Sequence, residues 1–168
     1  MNQYKSEVEE LKSKIDAAKV KLMQVRNSRI KPGLDDKILS SWNALMITGY
    51  AKAYRVFGEE AFLNAAVTNA NFLLKKAIAA DGEMTRNYKN GRSSINALLD
   101  DYAFTIAAFI ELYQATFDEK WLTEANKITS YTLEHFFDAS SGMFFYTHNQ
   151  YADLIARKME LSDNVIPS

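Results

Sequence analysis

The sequence has no cysteine and only two histidines and two prolines among its 168 residues. Without cysteine the chain forms no disulfide and offers no thiolate nucleophile or thiolate metal ligand, which excludes thiol redox chemistry. This composition is typical of a cytoplasmic protein, which is our expectation. Glycine-rich phosphate loops, GxSxG and HExxH motifs are absent, and the histidines have no metal-ligand spacing. We therefore predict no metal and no cofactor.

The chain also lacks an excess of either charge and any long apolar run. Its 20 Lys and Arg stand against 21 Asp and Glu, so nucleic acid is not an expected partner. No stretch approaches the roughly 18 apolar residues of a membrane span, and the N-terminus "MNQYKSEVEELKSK" has no apolar signal core. We therefore expect a soluble, untargeted protein without a membrane partner. With 48% hydrophobic residues, it can form one domain with a sizeable core.

The N-terminal segment predicts an amphipathic helix, which we assign to residues 1–30. Residues 4–25 place apolar side chains at alternating spacings of four and three, so that they form one stripe on a helix. This helix could lie on its own domain or self-associate as a coiled coil, and its few heptads favour the first alternative. Pro32 and Gly33 then break the pattern.

Residues 31–168 contain an internal repeat. At an offset of 59 residues, Tyr54 aligns with Tyr113. Further matches at this offset are Glu60 with Glu119, Phe62 with Trp121, Leu63 with Leu122, Ala66 with Ala125, Phe72 with Tyr131 and Leu74 with Leu133. Two helical hairpins, at about residues 36–92 and 93–152, therefore follow each other in tandem.

Each repeat has an apolar first helix and a more amphipathic second helix, as "WNALMITGYA" and "TEANKITSYTLEHF" illustrate. A helix without a polar face is enclosed on all sides, so the first helices are the inner ones and the second helices the outer ones. The predicted fold class is all-α, with tandem hairpins arranged as in a solenoid or as part of an α/α toroid. The runs "MFFYTH" and "DLIARKME" predict a small β-hairpin near the C-terminus.

The ends at which the inner helices begin are the candidate functional surface. An outer helix runs antiparallel to its inner helix, so the segment that follows it returns to these ends. The residues expected to gather there are Asp36, Asp100, Asp101, Arg86, His148 and Arg157.

Asp36 and Asp101 are the candidate catalytic residues, as acid/base groups. Asp36, or the aspartate before it, could equally cap the first inner helix, since a carboxylate there is favoured by about 0.3–1 kcal/mol. Capping explains Asp101 less well, because it aligns with Trp42, about two turns inside its helix if Asp36 is the cap. A carboxylate at that depth needs a ligand, a water molecule or an internal ion pair with Arg86 or Arg157.

Trp42 and Asn43 align with Asp101 and Tyr102, so all four are expected to line one inner surface. An indole beside an amide and carboxylates offers a sugar both an apolar face for stacking and fixed hydrogen bonds. A tryptophan in an apolar helix can equally belong to the core. The candidate substrate-binding residues are Trp42, Asn43, Tyr102, Arg86 and Arg157.

Four segments of the sequence resemble a known family: "RNSRIKPGLDDKILSSWNALMI", "LLDDYAFTIAAFIELYQAT", "GMFFYT" and "LIARKMELSDNVIPS". They look like the helical part of the thioredoxin-domain-containing family that includes spermatogenesis-associated thioredoxin-like proteins, from Arg26 to Ser168. In that family a thioredoxin-like domain precedes an α/α toroid similar to N-acylglucosamine 2-epimerases and six-hairpin glycosidases. The resemblance implies that this chain is part of a larger protein and is inactive alone.

The resemblance carries over to individual residues only where the motifs match. The family often has Arg-Pro-Lys-Glu where residues 157–160 stand here, so only Arg157 and Glu160 match in that segment. The histidine acid/base pair of the epimerase relatives has no counterpart in this sequence. The other matching positions are Asp35, Asp36, Lys37, Trp42, Asn43, Asp101, Tyr102, Asp163 and Asn164.

Two functional hypotheses follow. In the first, the chain contributes to a carbohydrate-binding or carbohydrate-active toroid that takes a sugar-like small molecule at the inner-helix ends. In the second, the hairpins form a non-catalytic scaffold for protein–protein interaction. Exposed helical faces at the ends of the array would then lead the chain to self-associate.

Overall fold

The computed structural model of the protein describes residues 2–151 and 156–159. The chain divides into two compact units, Met1–Asp35 and Asp36–Ser168. Helix α1 (Asn2–Ser28) forms most of the first unit. Its apolar side chains Leu11, Ile15 and Leu22 are exposed.

The described residues of the second unit form four helices in two hairpins. Helices α2 (Ser40–Phe57) and α3 (Glu60–Lys76) form the first hairpin, and α4 (Leu99–Thr116) and α5 (Lys120–Phe136) form the second. Gly58 ends α2 with a φ of 71°, a left-handed conformation that glycine adopts readily. The corresponding residue after α4 is Phe117, which adopts a φ of 55° without being a glycine.

Helices α2 and α4 pack against each other, and each also packs against the second helix of its own hairpin. Small residues such as Ala44 and Ala108 are fully buried, which lets the inner helices approach closely. Around them pack large buried side chains such as Phe109 and Trp121, each of which stabilises the fold by about 1.5–3 kcal/mol. The predicted all-α array of tandem hairpins is confirmed.

Short strands connect the hairpins. Strands β1 (Ile38–Leu39), β2 (Asn87–Lys89) and β3 (Arg92–Ser93) form an antiparallel sheet in that order. Leu39 lies opposite Asn87, which ties the entry to α2 to the segment that leads into α4. The next residue, Ser40, extends this link by donating its backbone N–H to the carbonyl of Arg86 at 2.8 Å.

The β-hairpin predicted near the C-terminus is present, but its strand partner differs from the one we expected. Strand β5 (Met143–Phe144) pairs with β4 (Phe137–Asp138), which follows α5 directly. Within "DLIARKME", residues 156–159 form no strand, and the others lie outside the described residues. In the described part of the chain, no helix is both long enough and apolar enough to cross a membrane.

Candidate functional site

Asp101 connects the N-termini of the two inner helices. It is the third residue of α4 and is fully buried. Its Oδ1 accepts a hydrogen bond from the backbone N–H of Ser41 at 2.9 Å, and its Oδ2 accepts one from the N–H of Leu98 at 3.0 Å. Because Ser41 is the second residue of α2, one carboxylate satisfies free N–H groups at the start of both helices.

Asp36 does not cap the first inner helix, so that alternative is wrong. Helix α2 begins at Ser40, and the residue before it, Leu39, has no side-chain acceptor to offer. Strand β1 separates Asp36 from the helix. Asp36 instead forms an ion pair with Lys89 of β2, with half of its side chain exposed. The hydrogen bond from Lys89 lowers the pKa of Asp36, which keeps the carboxylate ionised at neutral pH.

Arg86 joins both aspartates of the paired motif. Its Nη1 lies 2.9 Å from Oδ2 of Asp101 and 3.1 Å from Oδ1 of Asp100. Burial lowers the pKa of Arg86, but the charges of Asp101 and Asp100 outweigh that effect, so the net shift is upwards. Burial raises the pKa of Asp101, and the charge of Asp100 adds to this shift, whereas the Leu98 N–H and Arg86 oppose it. The internal ion pair of Asp101 with Arg86, one of the alternatives that the sequence allowed, is therefore present.

The surroundings of Asp101 favour a positioning role over direct contact with a ligand. A raised pKa is a property of general acids. A general acid must also lie within hydrogen-bond reach of its substrate, and Asp101 has no exposed surface. Both of its oxygens are already occupied by Ser41, Leu98 and Arg86.

Tyr102 is also fully buried, and its hydroxyl accepts a hydrogen bond from the backbone N–H of Met84 at 3.0 Å. Its ring stacks on Tyr131 with centroids 5.8 Å apart. Burial raises the pKa of Tyr102 well above its ordinary value. Tyr102 therefore joins the two hairpins, since Met84 belongs to the first repeat and Tyr131 to the second.

Arg157 lies in a different environment from Arg86. Its Nε and Nη2 donate to the carbonyl of Thr147, and Nη2 also donates to the carbonyl of His135. The guanidinium lies 4.0 Å from the ring centroid of Phe145, and burial lowers the pKa of Arg157. These contacts brace the segment after β5.

Trp42 and Asn43 line an open groove at the start of α2. Trp42 is 62% exposed, so the alternative that it belongs to the core is wrong. The groove has a volume of about 320 Å³, and Asn69 and Phe72 of α3 form its other wall. The side-chain amide of Asn43 donates to the carbonyl of Leu39 at 2.7 Å, which fixes its orientation.

His148 belongs to a buried aromatic cluster that the sequence did not indicate. Its Nδ1 accepts the backbone N–H of Gln150 at 2.9 Å, and its Nε2 lies 3.0 Å from the hydroxyl of Tyr131. The ring stacks on His135 at 4.3 Å. Burial lowers the pKa of His148 to about 4, so the ring is neutral at pH 7. Among the described residues, no cluster of His, Cys, Asp and Glu side chains could hold a metal ion.

The sequence also did not predict an apolar cavity of about 340 Å³. It lies between α4, α5 and β5, where Phe104, Ile106 and Leu133 form much of its wall. Its polar lining residues are Asp100, Thr129, Thr132 and Tyr146. We call this cavity the tail groove.

No family model matches the chain. It is 30% identical to spermatogenesis-associated protein 20 from Homo sapiens in an alignment 172 positions long, which covers 96% of this chain and 22% of the human protein. An uncharacterized protein from Caenorhabditis elegans is 32% identical in an alignment 169 positions long, which covers 96% of this chain and 23% of that protein. The chain therefore spans less than a quarter of the length of these curated relatives.

Solved structures with the same fold carry the names of carbohydrate enzymes. A cellobiose 2-epimerase from Bacillus thermoamylovorans matches 73% of this chain with 32% of its own, at a TM-score of 0.64 and 17% identity. A D-mannose isomerase matches 73% of this chain with 33% of its own, at a TM-score of 0.65 and 18% identity. A GH76 α-mannanase from Bacteroides thetaiotaomicron matches 70% of this chain with 33% of its own, at a TM-score of 0.63 and 18% identity.

The relatives confirm the family resemblance that the motifs predicted, and the solved structures confirm the fold. At sequence identities below a fifth, the structural similarity shows the fold alone. The reaction depends on the residues of the site. The chain is a homologue of a region of spermatogenesis-associated protein 20, with the hairpin architecture of the epimerase and six-hairpin glycosidase α/α toroids.

Proposed function

We propose that the chain forms part of a carbohydrate-binding surface at the inner-helix N-termini, within a carbohydrate-active α/α toroid. The observation that carries this proposal is the exposure of Trp42, which presents 62% of its surface in a groove beside Asn43 and Asn69. A sugar ring combines an apolar face with hydroxyl groups, so an indole next to side-chain amides offers matching chemistry.

The polar residues divide into two roles. Trp42 and Asn43 contact the ligand directly, by stacking and by hydrogen bonding. Asp101, Arg86 and Tyr102 act as positioning residues, because their contacts hold the inner helices in fixed relation to each other. A site on rigid supports binds with less loss of conformational freedom than one on a mobile loop.

Asp36 is the residue that we propose for direct proton transfer or for binding a sugar hydroxyl. Half of its side chain is exposed, and its lowered pKa keeps it ionised. An ionised carboxylate accepts hydrogen bonds, so Asp36 fits the binding of a sugar hydroxyl; of the two proton-transfer roles it fits only the base, and its lowered pKa makes it a weak one. The acid would then come from outside this chain, which spans less than a quarter of the length of its curated relatives.

Calorimetric titration of the chain with a panel of mono- and disaccharides tests the proposal. We expect Trp42→Ala to weaken binding about 2- to 10-fold, which corresponds to the 0.5–1.5 kcal/mol of an aromatic stacking contact. Phe57→Ala is the matched control, since Phe57 is an equally exposed aromatic residue at the opposite end of the same helix.

Three results would contradict a sugar site at Trp42. The first is that no sugar of the panel binds, and the second is that Trp42→Ala binds as the unsubstituted chain does. The third is an equal loss in Phe57→Ala, which would show a non-specific effect of removing exposed aromatic surface.

The second candidate function is a non-catalytic scaffold. The specific observation in its favour is the full engagement of Asp101, which leaves the paired aspartates with a structural role. Exposed apolar residues on both inner helices, Met46 and Ile110 among them, provide surfaces for other proteins. If the chain is such a scaffold, neither the unsubstituted chain nor Trp42→Ala binds a sugar, and Trp42→Ala alters protein association.

A further inference from the structure

The turn between β2 and β3 consists of Asn90 and Gly91, which form the only Asn-Gly pair in the sequence. Lys89 pairs with Arg92 across this turn. Both turn residues have positive φ values, 51° for Asn90 and 82° for Gly91. A two-residue turn of this shape favours Asn-Gly, because both residues tolerate the left-handed conformation. The pair therefore shapes the hairpin, but asparagine followed by glycine also has a chemistry of its own.

An Asn-Gly pair can rearrange without an enzyme. The backbone nitrogen of Gly91 attacks the side-chain carbonyl carbon of Asn90 and forms a bond to it. The side-chain amide group leaves as ammonia, together with the proton of the attacking N–H. Water then opens the resulting succinimide ring at one of its two carbonyl carbons. The products are aspartate and isoaspartate, in which the main chain runs through the side-chain carbon, and water is the only co-reactant.

The structure leaves this pair open to the reaction. Asn90 and Gly91 are both exposed. A Cβ added to Gly91 would meet no neighbouring atom within 4 Å, so the space beside the attacking nitrogen is open. Strands β2 and β3 have only three and two residues. Because so short a hairpin is only marginally stable, the turn can open locally into the geometry that the attack requires.

A second acidic site followed by glycine, Asp81–Gly82, lacks this freedom. The Asp81 side chain accepts a hydrogen bond from the backbone N–H of Glu83 at 3.0 Å. Gly82 is buried, and a Cβ added to it would lie 2.9 Å from the carbonyl oxygen of Lys127. Aspartate forms the same succinimide by loss of water, but here the backbone is packed in place. The fold therefore permits the rearrangement at one glycine and opposes it at the other.

The product at Asn90 would disturb the neighbouring ion pair. Lys89 precedes Asn90 and pairs with Asp36. Isoaspartate adds one methylene group to the main chain of a two-residue turn, which breaks the register of Lys89 with Arg92. It also places a new carboxylate next to Lys89, and this charge competes with Asp36 for the ammonium group.

We propose that Asn90 and Gly91 form a spontaneous modification site, and that conversion of Asn90 to isoaspartate weakens the ion pair between Lys89 and Asp36. All the residues involved belong to the three-stranded sheet or adjoin it, so the proposal does not depend on what precedes or follows the chain. Asp36 is also the residue to which we assign a sugar hydroxyl, but neither step of this proposal requires that assignment.

Incubation of the chain at neutral pH, with and without urea, tests the first step. Peptide mass spectrometry detects the conversion of an amide to an acid as a gain of one mass unit, and an isoaspartate-specific carboxyl methyltransferase labels the rearranged product. We expect Asn90 to be converted in the folded chain ahead of every other asparagine. Gly91→Ala should slow this conversion, because its methyl group obstructs the attack. Asp81 should rearrange only in urea.

Three results would overturn this step. Conversion of Asn90 in urea alone would show that the folded turn protects it. Faster loss of the amide at Asn87 or Asn96, which precede Tyr88 and Ala97, would show that glycine does not select the site. An unchanged rate in Gly91→Ala would show the same.

The carboxyl signal of Asp36 in a carbon NMR titration tests the second step. Lys89 lowers the pKa of Asp36 from 3.8, so we expect the midpoint to rise in the isoaspartate form. Lys89→Met should give a similar rise, since it removes the ammonium group. Asn90→Asp, measured before it rearranges, is the matched control, because it adds a carboxylate without lengthening the main chain, and it should give a smaller rise. A midpoint that rises in Lys89→Met but not in the isoaspartate form would overturn this step.

Discussion

Replacing Asp101 should destabilise the second unit strongly, because three donors depend on its carboxylate. Asp101→Ala leaves the buried N–H of Ser41 and the partly buried N–H of Leu98 without an acceptor, at about 1–3 kcal/mol each. Arg86 loses one of its two partners but keeps Asp100, and its side chain is 26% exposed. Because water can reach this guanidinium, its contribution lies at the low end of the 3–5 kcal/mol of a broken buried ion pair. The two N–H groups together account for about 2–6 kcal/mol, so with the ion pair we expect a total loss of about 5 kcal/mol or more.

Asp101→Asn separates the charge from the shape of the side chain. One amide oxygen can still accept the N–H of Ser41, but the amide NH₂ then points at the N–H of Leu98 and at Arg86. Donors would face donors, so we expect this variant to lose about 2–4 kcal/mol despite its unchanged volume. Since 1 kcal/mol shifts Tm by about 2–4 °C in a chain of this size, the melting temperature should fall by roughly 10 °C.

Urea denaturation followed by the fluorescence of Trp121, which is 2% exposed, measures this loss. Asp100→Asn is the matched control. Asp100 contacts the same Arg86 but lies at the lining of the tail groove with 16% of its side chain exposed. We expect the control to lose about 1 kcal/mol or less. An Asp101→Asn variant within about 1 kcal/mol of the unsubstituted chain would refute the reasoning, because the three donors would then not depend on the carboxylate.

Four further predictions concern single positions. Burial lowers the pKa of His148 to about 4 from 6.5, so protonation favours the unfolded chain. Stability should be complete above pH 6.5 and fall towards pH 4 by at most about 3 kcal/mol, a slope that His148→Gln should reduce in denaturation curves measured across this range. Gly82→Ala should destabilise by about 1–3 kcal/mol, since φ is +102° and the new Cβ would lie 2.9 Å from the carbonyl of Lys127. Gly49→Ala, in open space within a helix, should raise stability by about 0.5–1 kcal/mol in the same thermal melts at low protein concentration. Trp121→Ala should cost about 3–5 kcal/mol by urea denaturation, because the indole is buried in the core.

The hairpins were predictable because their signals are local and repeated. The apolar periodicity of each helix and the glycine at position 58 lie within a few residues of the structure that they specify. The repeat at an offset of 59 residues then predicts that the two hairpins resemble each other. The left-handed conformation of Phe117 had no such signal, since an aromatic residue in that position is uncommon.

The site was less predictable because its contacts join distant parts of the sequence. The partner of Asp101 on α2 is Ser41, 60 residues earlier, and no local pattern connects the two. Strand β1 is two residues long, too short for an alternating pattern, yet it moves Asp36 away from the helix that it was expected to cap. The burial of His148 depends likewise on the distant Tyr131.

Alignment of the repeats also has a physical limit. Trp42 and Asp101 occupy equivalent positions, but one is exposed and the other is buried. Helix α2 covers the face of α4 that carries Asp101, whereas none of the described helices of the second unit covers the face of α2 that carries Trp42. The repeat therefore predicts the position of a residue on its helix. Whether that residue is buried depends on whether another helix packs against the same face.

The indole N–H signals in a nitrogen–proton NMR spectrum test the proposed sugar site most directly. The chain has two tryptophans, Trp42 in the groove and Trp121 in the core. During a titration with the panel of sugars, the account predicts that the signal of Trp42 shifts in a saturable way with at least one sugar, while that of Trp121 stays in place. A Trp42 signal that no sugar moves, or equal shifts of both signals, would contradict it.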